Sequence, residues 1–311
     1  RSLVGSEMCI RDSPRGTLTP MTQFDAGTSD TGTSDAGTSD TGTFDPDLLD
    51  AVASAQHVVA LTGAGMSAES GVPTFRDAQT GLWEQYSAED LATEDAWLAD
   101  RNLVWSWYQW RARLVRACEP NAGHRALGEW QTRLRDSGGR LEVVTQNVDD
   151  LHERGGAEVL SHLHGSLFEF RCDECSEPAE HDPGVAADGR AGSDEDLTEA
   201  LASPPPACAS CRTGRLRPGI VWFGEMLPVD AFDRAQDALA ECDLALVIGT
   251  SGIVQPAAAL PYVALGNGAP VIEVNPAETP FTDHATWHLD GTAATTLPQL
   301  ISTDGAAPHR R

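Results

Sequence analysis

An α/β fold is what this chain predicts: a Rossmann-like parallel sheet with helices on both faces, a helical insertion and a small four-cysteine module. Three observations carry that expectation. Apolar runs of strand length alternate with stretches of helical period, the pattern of parallel strands joined by crossover helices. Several of those runs stop at glycine or at a polar residue, where open α/β sheets bind ligands. Two CxxC pairs interrupt the alternation between residues 172 and 211.

In chain order, residues 1–44 contribute no element. Ser2 to Ser13 reads as translated non-native sequence, with Met21 as the start. No secretion signal is expected, because an apolar stretch and a cleavage site are both missing there. Residues 25–44 repeat D-x-G-T-[SF] four times. So polar and Gly-rich a repeat cannot bury enough apolar surface to offset chain entropy, and disorder is expected. The ordered chain is expected from residue 45. Pro46 and Asp47 suit a helix start, and Leu48, Leu49, Val52 and Ala55 share one helical face. His57 to Leu61 reads as a buried strand. An aromatic-rich helix follows from Asp95 to Cys118, and another from His124 to Asp136. Further strands are expected at Leu141–Thr145, Asp243–Gly249 and Pro270–Asn275. The main domain would then comprise residues 45–167 and 218–303, with the helical insertion at about 78–120. The cysteine module would be 168–217, with an acidic, Pro-rich insertion, and 304–311 a tail. That length supports one large core and a small satellite.

Net charge is −26, and all 21 basic residues are arginine. Strong acidity argues against a nucleic-acid surface. Acidity without lysine suggests adaptation to high salt, where screening removes self-repulsion. Codon bias toward arginine would explain the missing lysine but not the acidic excess. No apolar run approaches the ~20 residues of a membrane span. Of seven cysteines, Cys172, Cys175, Cys208 and Cys211 form the CxxC pairs, which in a cytosolic protein mean metal and not disulfides. Four thiolates fill the tetrahedron of a Zn²⁺ and leave no open position, so the role would be structural. Cys9, Cys118 and Cys242 read as structural or incidental.

The most informative stretch is Gly63 to Asp77, GAGMSAESGVPTFRD. A Gly-rich turn after a strand lets backbone amides approach a pyrophosphate. Gly63-Ala64-Gly65 alone would be a tight turn. Ser67, Ser70, Pro73, Phe75, Arg76 and Asp77 add polar and charged groups that a turn does not need. Gln146-Asn147-Val148-Asp149 offers a carboxamide and a carboxylate on one face, suited to an amide ligand. An Asx turn or a cap before Leu151–Arg154 reads the same residues equally well. His162 and His164 are both candidate bases, and the residues alone do not choose. Tyr108 and Arg111, at i and i+3, could hold a carboxylate from one helix face. An ordinary amphipathic helix with Trp105, Trp107 and Trp110 at the core is the plain alternative. Gly63, Gln146, Gly249 and Asn275 each follow a strand end, which supports one shared pocket.

Taken together these motifs resemble the sirtuins, the NAD-dependent protein lysine deacylases. The resemblance extends through Leu163-His164-Gly165-Ser166, the four cysteines, Val221-Trp222-Phe223-Gly224-Glu225, Gly249-Thr250-Ser251 and Val274-Asn275. It covers roughly residues 45–300 in the family's order. It implies NAD as co-substrate and a structural Zn²⁺. It selects His164 over His162 as the base and places Asn147 beside it. It implies cofactor contacts from Gly63, Ala64, Gly65, Ser67, Ser70, Phe75, Arg76, Trp83, Gln146, Asn147, Val148 and Asp149. Gly249, Thr250, Ser251, Asn275, Pro276 and Ala293 complete that set. A substrate peptide would insert between Val221, Phe223, Gly224 and Glu225 on one edge and Gly252 and Ile253 on the other, read through its backbone. In sirtuins the acyl oxygen attacks the ribose and nicotinamide leaves. The histidine then activates a ribose hydroxyl, and the products are nicotinamide, free lysine and O-acyl-ADP-ribose. Tyr108-x-x-Arg111 resembles the class III subgroup, which removes succinyl and malonyl groups, so deacetylation, desuccinylation and demalonylation are all expected. The spacer from Asp77 to Trp83 is one residue longer than in that subgroup. An ADP-ribosyltransferase on the same site and a non-catalytic NAD or O-acyl-ADP-ribose binding module are the alternatives. His164 and Asn147 argue against the module, Tyr108 and Arg111 against the transferase. The expected protein is a cytoplasmic monomer acting on acyl-lysine proteins, with no nucleic-acid or membrane partner.

Overall fold

A computed structural model describes residues 44–72, 87–184 and 203–302. The repeats, the loop holding Phe75, Arg76 and Trp83, most of the acidic insertion and the tail lie outside those residues. The strands are β1 (His57–Thr62), β2 (Arg140–Thr145), β3 (Val159–His162), β4 (Gly165–Cys172), β5 (Pro178–Ala179), β6 (Leu216–Ile220), β7 (Leu244–Ile248), β8 (Val271–Val274) and β9 (Trp287–Leu289). The helices are α1 (Pro46–Ser54), α2 (Gly65–Ala68), α3 (Ala88–Leu91), α4 (Glu94–Ala99), α5 (Arg101–Ala117), α6 (Ala122–Asp136), α7 (Leu151–Arg154), α8 (Val229–Glu241), α9 (Leu260–Gly266) and α10 (Ala293–Ser302).

Side-chain parity along the buried strands explains the layers. In β1, Val58 and Ala60 pack with Leu127 and Trp130 of α6 and Leu297 and Leu300 of α10. Val59 and Leu61 point the other way, against Ala235 and Leu239 of α8 and Leu260 and Ala264 of α9. An apolar run with no polar alternation thus needs helices on both faces. Each fully buried Val or Leu contributes about 1.5–3 kcal/mol. The six parallel strands lie in the order β3-β2-β1-β7-β8-β9. β1 is therefore the strand where the winding direction reverses, and the crevice between the ends of β1 and β7 is the switch point.

The other two layers enter as insertions. β4, β5 and β6 form a three-stranded antiparallel sheet. A third core joins it to the insertion helices: Trp105, Trp107 and Tyr108 of α5 pack with Leu167, Phe170, Leu216, Ile220 and Trp222. The single helix expected from Asp95 to Cys118 is two. Asp100, extended at φ −151°, ends α4 and caps α5 by accepting from Leu103 N at 3.0 Å. An aspartate that serves the next helix as N-cap cannot also continue the previous one. The sequence reading also missed β3 and β9, which are too short to show a period, and the antiparallel sheet.

Candidate active site

Four strand ends meet at one cleft. β1 runs into Gly63, β2 into Gln146, β7 into Gly249 and β8 into Asn275, and all four line a cleft of about 720 Å³. The turn after β1 is stitched to the turn after β7, because Gly63 N donates to Ile248 O and Gly65 N to Gly249 O, each at 2.9 Å. A Cβ on Gly65 would lie 2.7 Å from Gly249 Cα, so only glycine allows this crossing. Asn275 Nδ2 donates to Thr250 O at 2.7 Å and ties the ends of β7 and β8 together.

A buried polar network supports one wall. Ser67 Oγ donates to Asp149 Oδ2 at 2.9 Å and accepts from Asn147 Nδ2 at 3.1 Å. Asp149 Oδ1 accepts from Leu151 N at 3.1 Å. Asp149 thus makes an Asx-type bond to the first amide of α7 and also lines the cleft. Burial pushes the Asp149 carboxyl up, although the Leu151 amide and the Ser67 hydroxyl oppose this. Below it, His124 accepts from Asn121 N at 3.3 Å while Asn121 Oδ1 accepts from His124 N, a capping box that starts α6.

The two candidate bases separate cleanly. His162 ends β3 and bonds Glu153 at 2.8 Å. Burial opposes its charge, but Glu153 outweighs burial and raises its pKa. His164 lies on the cleft. Its Nδ1 faces Gln146 O at 2.9 Å. A carbonyl only accepts, so Nδ1 carries the proton and Nε2 is the basic atom. Burial lowers the His164 pKa and the Gln146 carbonyl restores part of it, so the ring is neutral and able to take a proton near pH 7. Gly165 follows at φ +74°, and a Cβ there would lie 1.9 Å from Gly219 O. Glycine is required after the histidine because β6 passes that close.

Tyr108 and Arg111 both line the cleft from α5 and are buried. The Arg111 guanidinium sits 5.0 Å from the Trp107 ring centroid. Burial lowers its pKa, partly opposed by Tyr108 and Asp149. Val221, Phe223, Gly224 and Glu225 line the cleft beside them, with Ile253 also on the wall. Phe223 is half exposed, and its N–H is already bonded to Ala92 O at 2.9 Å. Glu225 turns inward: Arg217 binds it at 2.6 and 3.0 Å and Trp222 N at 2.8 Å. Its carboxylate thus shapes the edge on which it was expected to meet substrate.

Ala64, Val148, Thr250 and Ser251 also reach the wall. Four expected cofactor or substrate residues lie off it. Ala293 starts α10 and is buried against α6, where a Cβ on Gly123 would lie 2.8 Å from Ala293 O. Ser70, Gly252 and Pro276 sit one to three residues beyond wall residues, in turns that carry them aside. The sequence reading missed Trp222 and the 277–280 segment. Trp222 alternates with Val221 and Phe223 in a motif already singled out, which was the available signal. The 277–280 segment is held from below by buried Glu273, which accepts from Thr279 at 2.5 Å and Thr282 at 2.6 Å.

Away from the cleft, the sulfurs of Cys172, Cys175, Cys208 and Cys211 all lie within 4.8 Å of one another. Cys172–Cys211 and Cys175–Cys208 are 3.6 and 3.8 Å apart. Zn–S bonds of about 2.3 Å put tetrahedral sulfurs about 3.8 Å apart, so the set fits zinc. Gly214 N and Glu174 N donate to Cys211 and Cys172 sulfurs at 3.3 and 3.4 Å, which suits thiolates. No helix among the described residues is long and apolar enough to cross a membrane.

Comparison with known proteins agrees with this geometry. The model of the Sir2 family matches residues 63–256. An NAD-dependent protein deacylase of Corynebacterium glutamicum is 44% identical over 253 residues, covering 81% of this chain and 93% of that protein. The NAD-dependent protein deacylase Sir2 of Mycolicibacterium smegmatis is 47% identical over 244 residues, covering 78% and 95%. A solved Sir2 homolog–NAD complex superposes with a TM-score of 0.73 at 42% identity, covering 85% of this chain and 95% of that one.

Proposed function

The chain belongs to the Sir2 family and is an NAD-dependent protein deacylase, and from that premise we propose that it removes succinyl and malonyl groups from lysine side chains, as well as acetyl. One observation carries the acyl reading: a buried guanidinium and a buried phenol, Arg111 and Tyr108, on one wall of the cleft that His164 lines. Arg111 would pair the acyl carboxylate and Tyr108 would donate to it, two charge-assisted bonds in a site shielded from water.

NAD supplies an electrophilic ribose carbon with nicotinamide as leaving group. Its fit rests on the donor set. Backbone groups of Gly63–Gly65 and Gly249–Ser251 surround the switch point, and the Ser67–Asn147–Asp149 network offers amide-complementary atoms beside it. Its cavity volume lies in the range of cofactor clefts. His164 Nε2 would take the ribose hydroxyl proton, with Gln146 O holding the ring. The edges at Val221–Glu225 and Ile253 would receive the peptide. The four cysteines would hold Zn²⁺ away from this chemistry. The products are then nicotinamide, free lysine and O-acyl-ADP-ribose. We further read the protein as a cytoplasmic monomer, and its charge of −26 argues against a nucleic-acid partner.

The test is Arg111→Met, assayed on one lysine peptide carrying succinyl, malonyl or acetyl. Removing one partner of a buried charge pair costs about 2–5 kcal/mol. Desuccinylation kcat/KM should therefore fall roughly 30-fold or more, at ~1.4 kcal/mol per tenfold. Deacetylation should change little. Equal loss on both substrates would give Arg111 a structural role and remove the support for a carboxylate pocket.

A further inference from the structure

The Tyr108 hydroxyl is held by a residue from outside its helix. Trp222 Nε1 donates to Tyr108 Oη at 3.0 Å. Both side chains are 1% exposed, and both line the cleft. An indole N–H can only donate, so the phenol oxygen is the acceptor in this bond. Burial pushes the Tyr108 pKa well up, with Arg111 opposing it, so the phenol keeps its proton. Among the described residues the bond from Trp222 is the one recorded at this hydroxyl. The phenol proton is thus turned away from Trp222 and is available to a group in the cleft.

Trp222 is itself fixed from three sides. Its backbone N–H donates to Glu225 at 2.8 Å. The Arg217 guanidinium lies 3.3 Å from its ring centroid and also clamps Glu225. Trp97 packs 5.7 Å away and is anchored by donating to Asp173 at 3.0 Å. The indole is thus held between Arg217 on its face, Trp97 beside it and Tyr108 at its N–H.

We infer that Trp222 is a positioning residue for acyl-group selectivity: by occupying the acceptor side of the Tyr108 hydroxyl, it aims the phenol proton at the carboxylate of a bound acyl group. The inference rests on the carboxylate-pocket reading above. An acetyl group ends in a methyl and gains nothing from an aimed proton, so Trp222 acts on the succinyl-to-acetyl ratio. It touches no reacting atom, and its N–H acts through the Tyr108 hydroxyl.

Trp222→Phe removes the N–H and keeps an aromatic ring. A benzothienylalanine at 222 keeps the indole shape and removes only the donor, which covers the case where phenylalanine leaves a gap and the protein unfolds. With either variant, desuccinylation kcat/KM should fall about five- to tenfold more than deacetylation kcat/KM, with the excess appearing in KM. Tyr108→Phe should give a similar selective loss, and the double variant should be no worse than Tyr108→Phe alone, because coupled residues are non-additive. Losses that multiply in the double variant, or that are equal on both acyl groups, overturn the inference. A wild-type protein that removes acetyl but not succinyl overturns the pocket reading itself, a result visible before any Trp222 variant is made.

Discussion

Replacing Gly65 with alanine should push apart the two strand ends that form the cleft. The added Cβ would meet Gly249 Cα at 2.7 Å and Gly249 O at 3.0 Å. Carbon atoms in contact prefer about 3.5–4.0 Å, so the turns must separate by about 1 Å. Both neighbours are backbone, and the Gly65 N to Gly249 O bond at 2.9 Å resists the movement. Overpacking of this kind costs about 1–3 kcal/mol. For a domain of this size that is a drop in Tm of about 2–12 °C, at ~2–4 °C per kcal/mol. The same displacement carries Ala64, Thr250 and Ser251 off their positions on the wall. NAD affinity, measured by calorimetry, should weaken at least about tenfold, roughly 1.4 kcal/mol. Gly266→Ala is the control, since a Cβ there meets nothing within 4 Å. It should leave both Tm and NAD affinity in place. A Gly65→Ala protein that melts and binds NAD like wild type would refute the close crossing and the switch-point site together.

Other expectations are simpler to check. His164→Ala should cut turnover by about 10²–10⁴-fold with NAD binding retained; because burial lowers its pKa, the acid limb of the wild-type rate profile should fall below pH 6.5, and a limb near pH 7.5 would assign the base elsewhere. Burial and then Arg125 push the His124 pKa to about 4. The unfolded chain binds that proton from about pH 6.5 downward and the folded chain refuses it, so stability present above pH 6.5 is lost as pH falls to 4, by about 3 kcal/mol. Urea titrations showing flat stability from pH 7 to 4.5 would contradict a neutral buried His124. Metal analysis should find one zinc per chain, and a strong chelator should lower Tm because binding is coupled to folding of the module; active, stable protein without zinc would remove the metal assignment.

Much of the site was legible because it is local. The strand-length apolar runs at His57, Leu141, Asp243 and Pro270 form β1, β2, β7 and β8, and each ends where a cleft residue begins. The two CxxC pairs mark the four cysteines whose sulfurs cluster. Glycine at 65 and 165 follows from close backbone approach, which chemistry in the chain can announce. What the sequence left open depends on how the chain turns back on itself, over short spans as well as long ones. Nothing local separates His162 from His164; the hydrogen bonds to Glu153 and to Gln146 O do. Asp100 reads as mid-helix until the bend between α4 and α5 makes it a cap. Trp222 and Tyr108 lie 114 residues apart, and Glu225 faces inward only because Arg217 of β6 stands behind it. Periodicity and motif spacing specify which groups are present and which strand end carries them. Their partners are chosen by the path of the folded backbone, which turns a side chain toward one neighbour or another and which motif spacing does not specify; for Trp222 and Tyr108 that path closes across an insertion.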